Sequence, residues 1–334
     1  MRRDLRNVFG WSRRLRAHPG ARGAAQVGRP RLVLVLVLAL VLSPAAAVAK
    51  LNVVATVPDL AALAREAGGD GVQVTALLLP TQDPHFADAR PHLALQLNRA
   101  KLVLVVGLGL EAGWLPVLLG GARNPAVQSG SDGYLDASTV ATLKEVPRAR
   151  VDRSMGDIHP GGNPHYLADP ENAVRVVRSI AARLAKLDAA RAATYRANAE
   201  RFVTSLRGAQ RRWAAELAPY ARTPIVAYHR SWIYFAEAMG LRIVEHLEPK
   251  PGIPPSAAHV LRVVQLMRAS KVPLIVQEEY YPDRTAALVA QKAGARLVVL
   301  RGGADVRRGE TYLQRIDAMV RQVASALRIA RGSR

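Results

Sequence analysis

Beyond residue 50 the chain alternates short apolar runs with stretches of helical period. Residues 51–56 read as an apolar strand, 58–67 as a helix opened by proline, 72–78 as a second strand and 91–100 as another proline-started helix. Residues 102–106 form a run of fully buried type that ends at Gly107. Residues 120–164 lack periodicity and are rich in Gly, Asp, Ser and Pro, which predicts mostly loop with one strand. Asp169-Pro170 supplies an N-cap and a first-turn proline, and Val174, Val177, Ile180, Ala181 and Leu184 follow behind at the 3.6-residue period. Asp188 re-caps a second helix reaching about Pro219, roughly 45 Å long at about 1.5 Å per residue, enough to join two domains. The alternation then resumes as strand 225–227, helix 231–239, strand 241–245, helix 256–270, strand 272–278, helix 285–293, strand 297–300 and helix 309–329. Strands apolar on both faces, alternating with helices, predict parallel sheets covered on both sides. The expected fold is therefore α/β, with one (β/α) lobe over residues 50–187, a linking helix over 188–219 and a second lobe over 220–334.

The first 49 residues follow a different pattern. Residues 32–43 are a 12-residue apolar run behind an Arg-rich stretch, followed by Pro44 and the small residues Ala45, Ala46, Ala47 and Ala49. A membrane-spanning helix needs about 20 apolar residues, and Pro44 would break this one. The pattern is that of a signal peptide cut before Lys50, so the mature protein is expected to be exported to the periplasm.

Charge and composition then narrow the function. The formal net charge is +21, but the first 31 residues hold nine Arg and one Asp, so the remainder carries +13. Only 5% of residues are aromatic, and no Lys/Arg run interleaves with Phe or Tyr, so nucleic acid is not an expected partner. The chain has no Cys. That excludes disulfides, thiolate metal sites, Cys nucleophiles and a lipid-modified N-terminal Cys, and leaves His and carboxylates as the metal ligands available.

Three of the eight histidines occupy equivalent positions, where ligands collect in open parallel sheets. His85 lies in the loop after the second strand, in Asp83-Pro84-His85-Phe86. His229 directly follows the strand ending at Ala227, and His165 stands just before the capped helix at Asp169. Imidazole is the commonest metal ligand, and tetrahedral zinc sites combine nitrogen ligands with an oxygen or water.

These residues resemble the periplasmic solute-binding proteins of zinc and manganese ABC transporters, the ZnuA-like and TroA-like group. The first family motif resembles Asp83-Pro84-His85 through Gly107-Leu108-Gly109-Leu110-Glu111. The second is similar to Asn163-Pro164-His165 through Asp169-Pro170, and the third to Tyr228-His229-Arg230-Ser231-Trp232 through Gly240-Leu241. The likeness also takes in Lys250-Pro251-Gly252-Ile253-Pro254-Pro255-Ser256 and Ile275 to Tyr281, and so covers nearly all of residues 50–330. It implies a rigid linking helix, a metal in the interlobe cleft, and His85, His165 and His229 as ligands. For the fourth ligand many members place an Asp, whereas this chain reads Glu278-Glu279-Tyr280-Tyr281-Pro282-Asp283. Successive strand residues face opposite sides, and Glu278 is the choice, with Glu279, Asp283 and water as alternatives. The long His-rich acidic loop of some zinc members is absent. His159, the one histidine of residues 120–164 outside the ligand motifs, is read as a loop residue rather than a ligand.

Three imidazoles and one oxygen suit Zn2+, whereas Mn2+ prefers more carboxylate and higher coordination, so zinc is expected ahead of manganese or iron. A zinc hydrolase would share these ligands, but no His-Glu-x-x-His helix or Ser nucleophile motif is present. The expectation is a monomeric periplasmic receptor, without enzymatic activity, that delivers Zn2+ to a membrane ABC permease. Glu245-His246-Leu247-Glu248 reads as a solvated strand end.

Overall fold

The computed structural model describes residues 49–149, 151, 156 and 158–332. The expected signal peptide lies outside the described residues apart from Ala49.

Two four-stranded parallel sheets organise the chain. The first contains β1 (Leu51–Ala55), β2 (Val72–Ala76), β3 (Leu102–Val105) and β4 (Tyr134–Asp136) in the order β2-β1-β3-β4. The second contains β5 (Pro224–Ala227), β6 (Arg242–His246), β7 (Leu274–Glu278) and β8 (Arg296–Leu300) in the order β6-β5-β7-β8. The two orders are the same pattern, with the first strand of each sheet inside and the second at its edge. Each sheet therefore reverses direction beside its first strand, where loops at the strand C-termini diverge and leave a crevice.

Helices cover both faces, as all-parallel strands require. In the first sheet α1 (Pro58–Gly68) packs on one face, and α2 (Pro91–Asn98) with α3 (Leu115–Ala122) on the other. The long pair α4 (Pro170–Leu187) and α5 (Ala192–Leu217) follows, then α6 (Ile233–Ala238), α7 (Ala257–Ala269), α8 (Asp283–Ala293) and α9 (Tyr312–Gly332). Pro170 at the first turn and Asp169, whose carboxylate accepts the Glu171 N–H at 2.8 Å, start α4 as its sequence predicts. The expected 188–219 helix is shorter. Its α-helical part is 26 residues, about 39 Å, because residues 189–191 and 218–220 wind into 3₁₀ turns. The Asp188 carboxylate caps neither turn and instead accepts from Tyr195 and Arg191.

The main apolar core runs without interruption from Val53, Leu63 and Leu102 through Tyr195, Phe202 and Trp213 of α5 to Ile225, Leu274 and Val320. Both sheets thus share one wall of packed side chains. Polar ties reinforce it: Asn198 of α5 donates to the Ala67 carbonyl at 3.0 Å, and Trp213 donates to Asp317 of α9. Arg315 of α9 reaches back to Asp59 of α1 at 2.7 Å, with both residues buried. Smaller cores under α2/α3 and α7/α8 finish the outer faces.

Candidate metal centre

The three histidines singled out by sequence converge between the two sheets. One ring nitrogen from each of His85, His165 and His229 lies within 4.8 Å of the others. The ring centroids form a nearly equilateral triangle, with sides of 5.2 Å (His85–His165), 5.1 Å (His85–His229) and 5.2 Å (His165–His229).

Each ring is held by its own loop. After β2, Asp83 folds an Asx turn in which its Oδ1 accepts the His85 backbone N–H at 3.0 Å and faces the ring Nδ1 at 2.7 Å. Trp114 anchors the same loop by donating to the Pro84 carbonyl at 2.9 Å. Burial alone would push the Asp83 carboxyl up, but the hydrogen bonds from His85 outweigh it and hold that carboxyl below its ordinary range. Before α4, the Asn163 side chain accepts the His165 N–H at 3.0 Å while donating at 2.9 Å to Glu145 and to the Arg230 carbonyl. At the end of β5, His229 is 3% exposed and its Nδ1 lies 2.7 Å from the Glu248 carboxylate.

Two rings therefore present Nδ1–H to carboxylates, which assigns the lone pair to Nε2, the nitrogen a metal takes. The Nε2 atoms of His85 and His165 are buried without a hydrogen-bond partner. Burial, and then repulsion from the neighbouring imidazoles, pushes His165 well below the ordinary histidine range. Burial also lowers His229, against the pull of Glu248 in the other direction. Three imidazoles converging from two halves of the fold, two of them with buried Nε2 atoms that have no partner, form an arrangement able to hold a cation.

The remaining expectations fare differently. Glu278 is buried at the end of β7 but is not among the groups within 4.8 Å of the imidazoles. Ser231 donates to its Oε1, Oε2 has no partner, and burial pushes the carboxyl up to about 8. Asp283 accepts from Gln277 at 2.6 Å. Glu248, read as part of a solvated strand end, is 7% exposed and serves His229 while also accepting the Gly252 N–H at 3.1 Å. The missed signal lies in the β5–β6 register, which pairs Ala227 with His246 and so carries Glu248 alongside the residues following β5. His159, read as a loop residue, has its ring 5.4 Å from that of His85. A cleft of about 210 Å³, lined by Ile158, His159, His165, His229 and Arg230 among others, opens beside the cluster.

Comparisons with known proteins agree with this architecture. The family described as zinc-uptake complex component A, periplasmic, matches residues 53–326. The iron-binding protein YfeA of Yersinia pestis is 24% identical over 260 residues, covering 76% of this chain and 78% of its own. The zinc-binding lipoprotein AdcA of Streptococcus pneumoniae is 23% identical over 280 residues, 79% of this chain but only 53% of its own. Among solved structures, ZnuA superposes with a TM-score of 0.71 at 23% identity, covering 83% of this chain and 99% of its own. The manganese complex of FpvC from Pseudomonas aeruginosa gives 0.69 at 20% identity, covering 84% and 100%. These structures share the fold. The chain accordingly belongs to the ZnuA family of metal-binding solute receptors that serve membrane ABC permeases, and it is a binding protein rather than an enzyme.

Proposed function

We propose that this protein captures Zn2+ outside the cytoplasm on His85, His165 and His229 and delivers it to a membrane ABC permease. The observation that carries the reading is the 4.8 Å convergence of three imidazoles, two of them braced through Nδ1 by Asp83 and Glu248. Neutral nitrogen donors suit zinc, whereas manganese and ferrous sites draw on carboxylates. The iron-binding and manganese-bound relatives make those ions the competing reading. The donor chemistry argues against them, because the three converging donors are all imidazoles and Glu278, the buried carboxylate of the expected set, is engaged by Ser231.

Capture needs donors from both halves of the fold. His85 follows β2 of the first sheet and His229 follows β5 of the second, while α5 spans the shared core as a stiff spacer between lobes at 50–187 and 220–334. An ion bridging the two halves ties them together, and a permease that spreads them removes a ligand and releases it. The receptor acts as a periplasmic monomer after removal of its leader. The test is native mass spectrometry with elemental analysis of the exported protein. One zinc per chain is expected, and manganese or iron in its place would overturn the zinc assignment.

A further inference from the structure

We propose that His159 is a fourth imidazole ligand of the captured ion, completing an all-nitrogen shell in place of a carboxylate. The inference rests on the reading of His85, His165 and His229 as the metal site and adds a residue to it.

Three features of His159 match the trio. Its centroid distance to His85, 5.4 Å, is close to the 5.1–5.2 Å separations within the triangle. Its Nε2 is buried and without a partner, as are those of His85 and His165. Its Nδ1 is turned to the backbone at Leu108 and Gly109. A Cβ built on Gly109 would lie 3.7 Å from that nitrogen, and the ring hydrogen-bonds the Leu108 backbone. With Nδ1 occupied by a backbone acceptor, the lone pair again belongs to Nε2, the same outer-sphere device that Asp83 and Glu248 provide for the other rings.

The loop that carries His159 is held on both sides. A Cβ on Gly156 would come 2.2 Å from the Pro251 carbonyl oxygen, and one on Gly161 would come 2.7 Å from the Leu108 side chain. Gly156, at φ +75°, also has a backbone that side chains resist. These close approaches set Gly156 against Pro251 in the second half and Gly161 against Leu108 in the first, with His159 between them in sequence. His159 is not among the ring nitrogens that lie within 4.8 Å of one another, so the proposal requires its ring to move inward on binding. Four neutral nitrogens around a divalent cation favour zinc, nickel or copper and disfavour manganese and magnesium, which take oxygen. His159 would then be the residue that sets metal class.

The test is zinc K-edge X-ray absorption on the zinc-loaded full chain, wild type and His159→Ala, with zinc affinity measured by chelator competition. Wild type should show four imidazoles, and His159→Ala should show three with oxygen in the vacated place. Affinity should fall by about 10-fold or more, since removal of even an outer-shell partner costs about 10- to 100-fold. His159→Ala changes a loop residue, and unchanged melting of its metal-free form shows that the fold survives. Gly161→Ala, which keeps the imidazole but displaces the loop, should lose part of the same affinity. An identical imidazole count in wild type and His159→Ala overturns the proposal. So does a wild-type shell of three imidazoles and a carboxylate that disappears in Glu278→Gln. Both results leave the zinc-receptor reading standing, whereas a wild-type chain that binds no zinc defeats that reading itself.

Discussion

The Nδ1 of His229 lies 2.7 Å from the carboxylate of Glu248, with the two side chains 4% and 6% exposed. The pair fixes one tautomer, orients the ring and raises its basicity toward a cation on Nε2. Glu248→Gln keeps an acceptor but removes the charge, so zinc affinity should fall about 10-fold or more. Chelator competition on folded protein measures this, and unchanged affinity would show that the carboxylate only fills space.

Zinc should raise the melting temperature. An ion that binds the native state alone adds RT ln(1 + [L]/Kd), about 4 kcal/mol at about a thousandfold excess over Kd. Calorimetry with zinc and with excess chelator measures the difference. Magnesium, which prefers oxygen ligands and keeps its waters, should produce no comparable shift.

Glu278 yields a pH prediction for the metal-free protein. Its carboxyl is pushed by burial from an ordinary 4.5 to about 8, so between those values the native state holds a proton that the unfolded chain releases. A raised acid pKa makes stability fall as pH rises through this window and level off above it. Glu278→Gln mimics the protonated form and should remove that slope. Denaturant unfolding at pH 5, 7 and 9, values chosen to bracket the window, checks the contrast. Parallel curves for wild type and variant would contradict the assignment.

The buried pair between Asp59 of α1 and Arg315 of α9 joins the two ends of the chain. Asp59 also accepts the Ala304 N–H at 2.9 Å. Asp59→Ala strands the guanidinium away from water and should cost about 3 to 5 kcal/mol in urea unfolding. A loss below about 1 kcal/mol, the range of exposed pairs, would show that the site is wetter than its burial implies.

The strands were legible because apolar runs such as Leu102–Val105 and Leu274–Glu278 admit no amphipathic alternative. The proline-started helices were legible from their first turns. The short α3 went unread because its helical turns contain Gly120 and Gly121, poor helix formers, and its apolar positions Leu115, Leu118 and Leu119 are few. His85, His165 and His229 could be found because each stands at a strand end or helix start. Glu248 lies 19 residues from His229 and meets it only through the register of β6 on β5. His159 is placed by contacts of Gly156 and Gly161 with distant segments, which no local pattern encodes. For Glu278, strand alternation set it on the opposite face from Glu279, but it could not reveal that Ser231 occupies one carboxylate oxygen.

Zinc titration of the purified protein and its single-histidine variants against a chromogenic chelator tests the metal centre most directly. Wild type should take up one zinc ion tightly. His85→Ala, His165→Ala and His229→Ala should each lose affinity severely, by about 100-fold or more, since each removes a direct ligand where even supporting partners are worth about 10- to 100-fold. His92→Ala, at an exposed position on α2, should match wild type. Equal affinity in wild type and any of the three cluster variants would contradict the assignment of that histidine, and wild type that fails to compete with the chelator would contradict the centre as a whole.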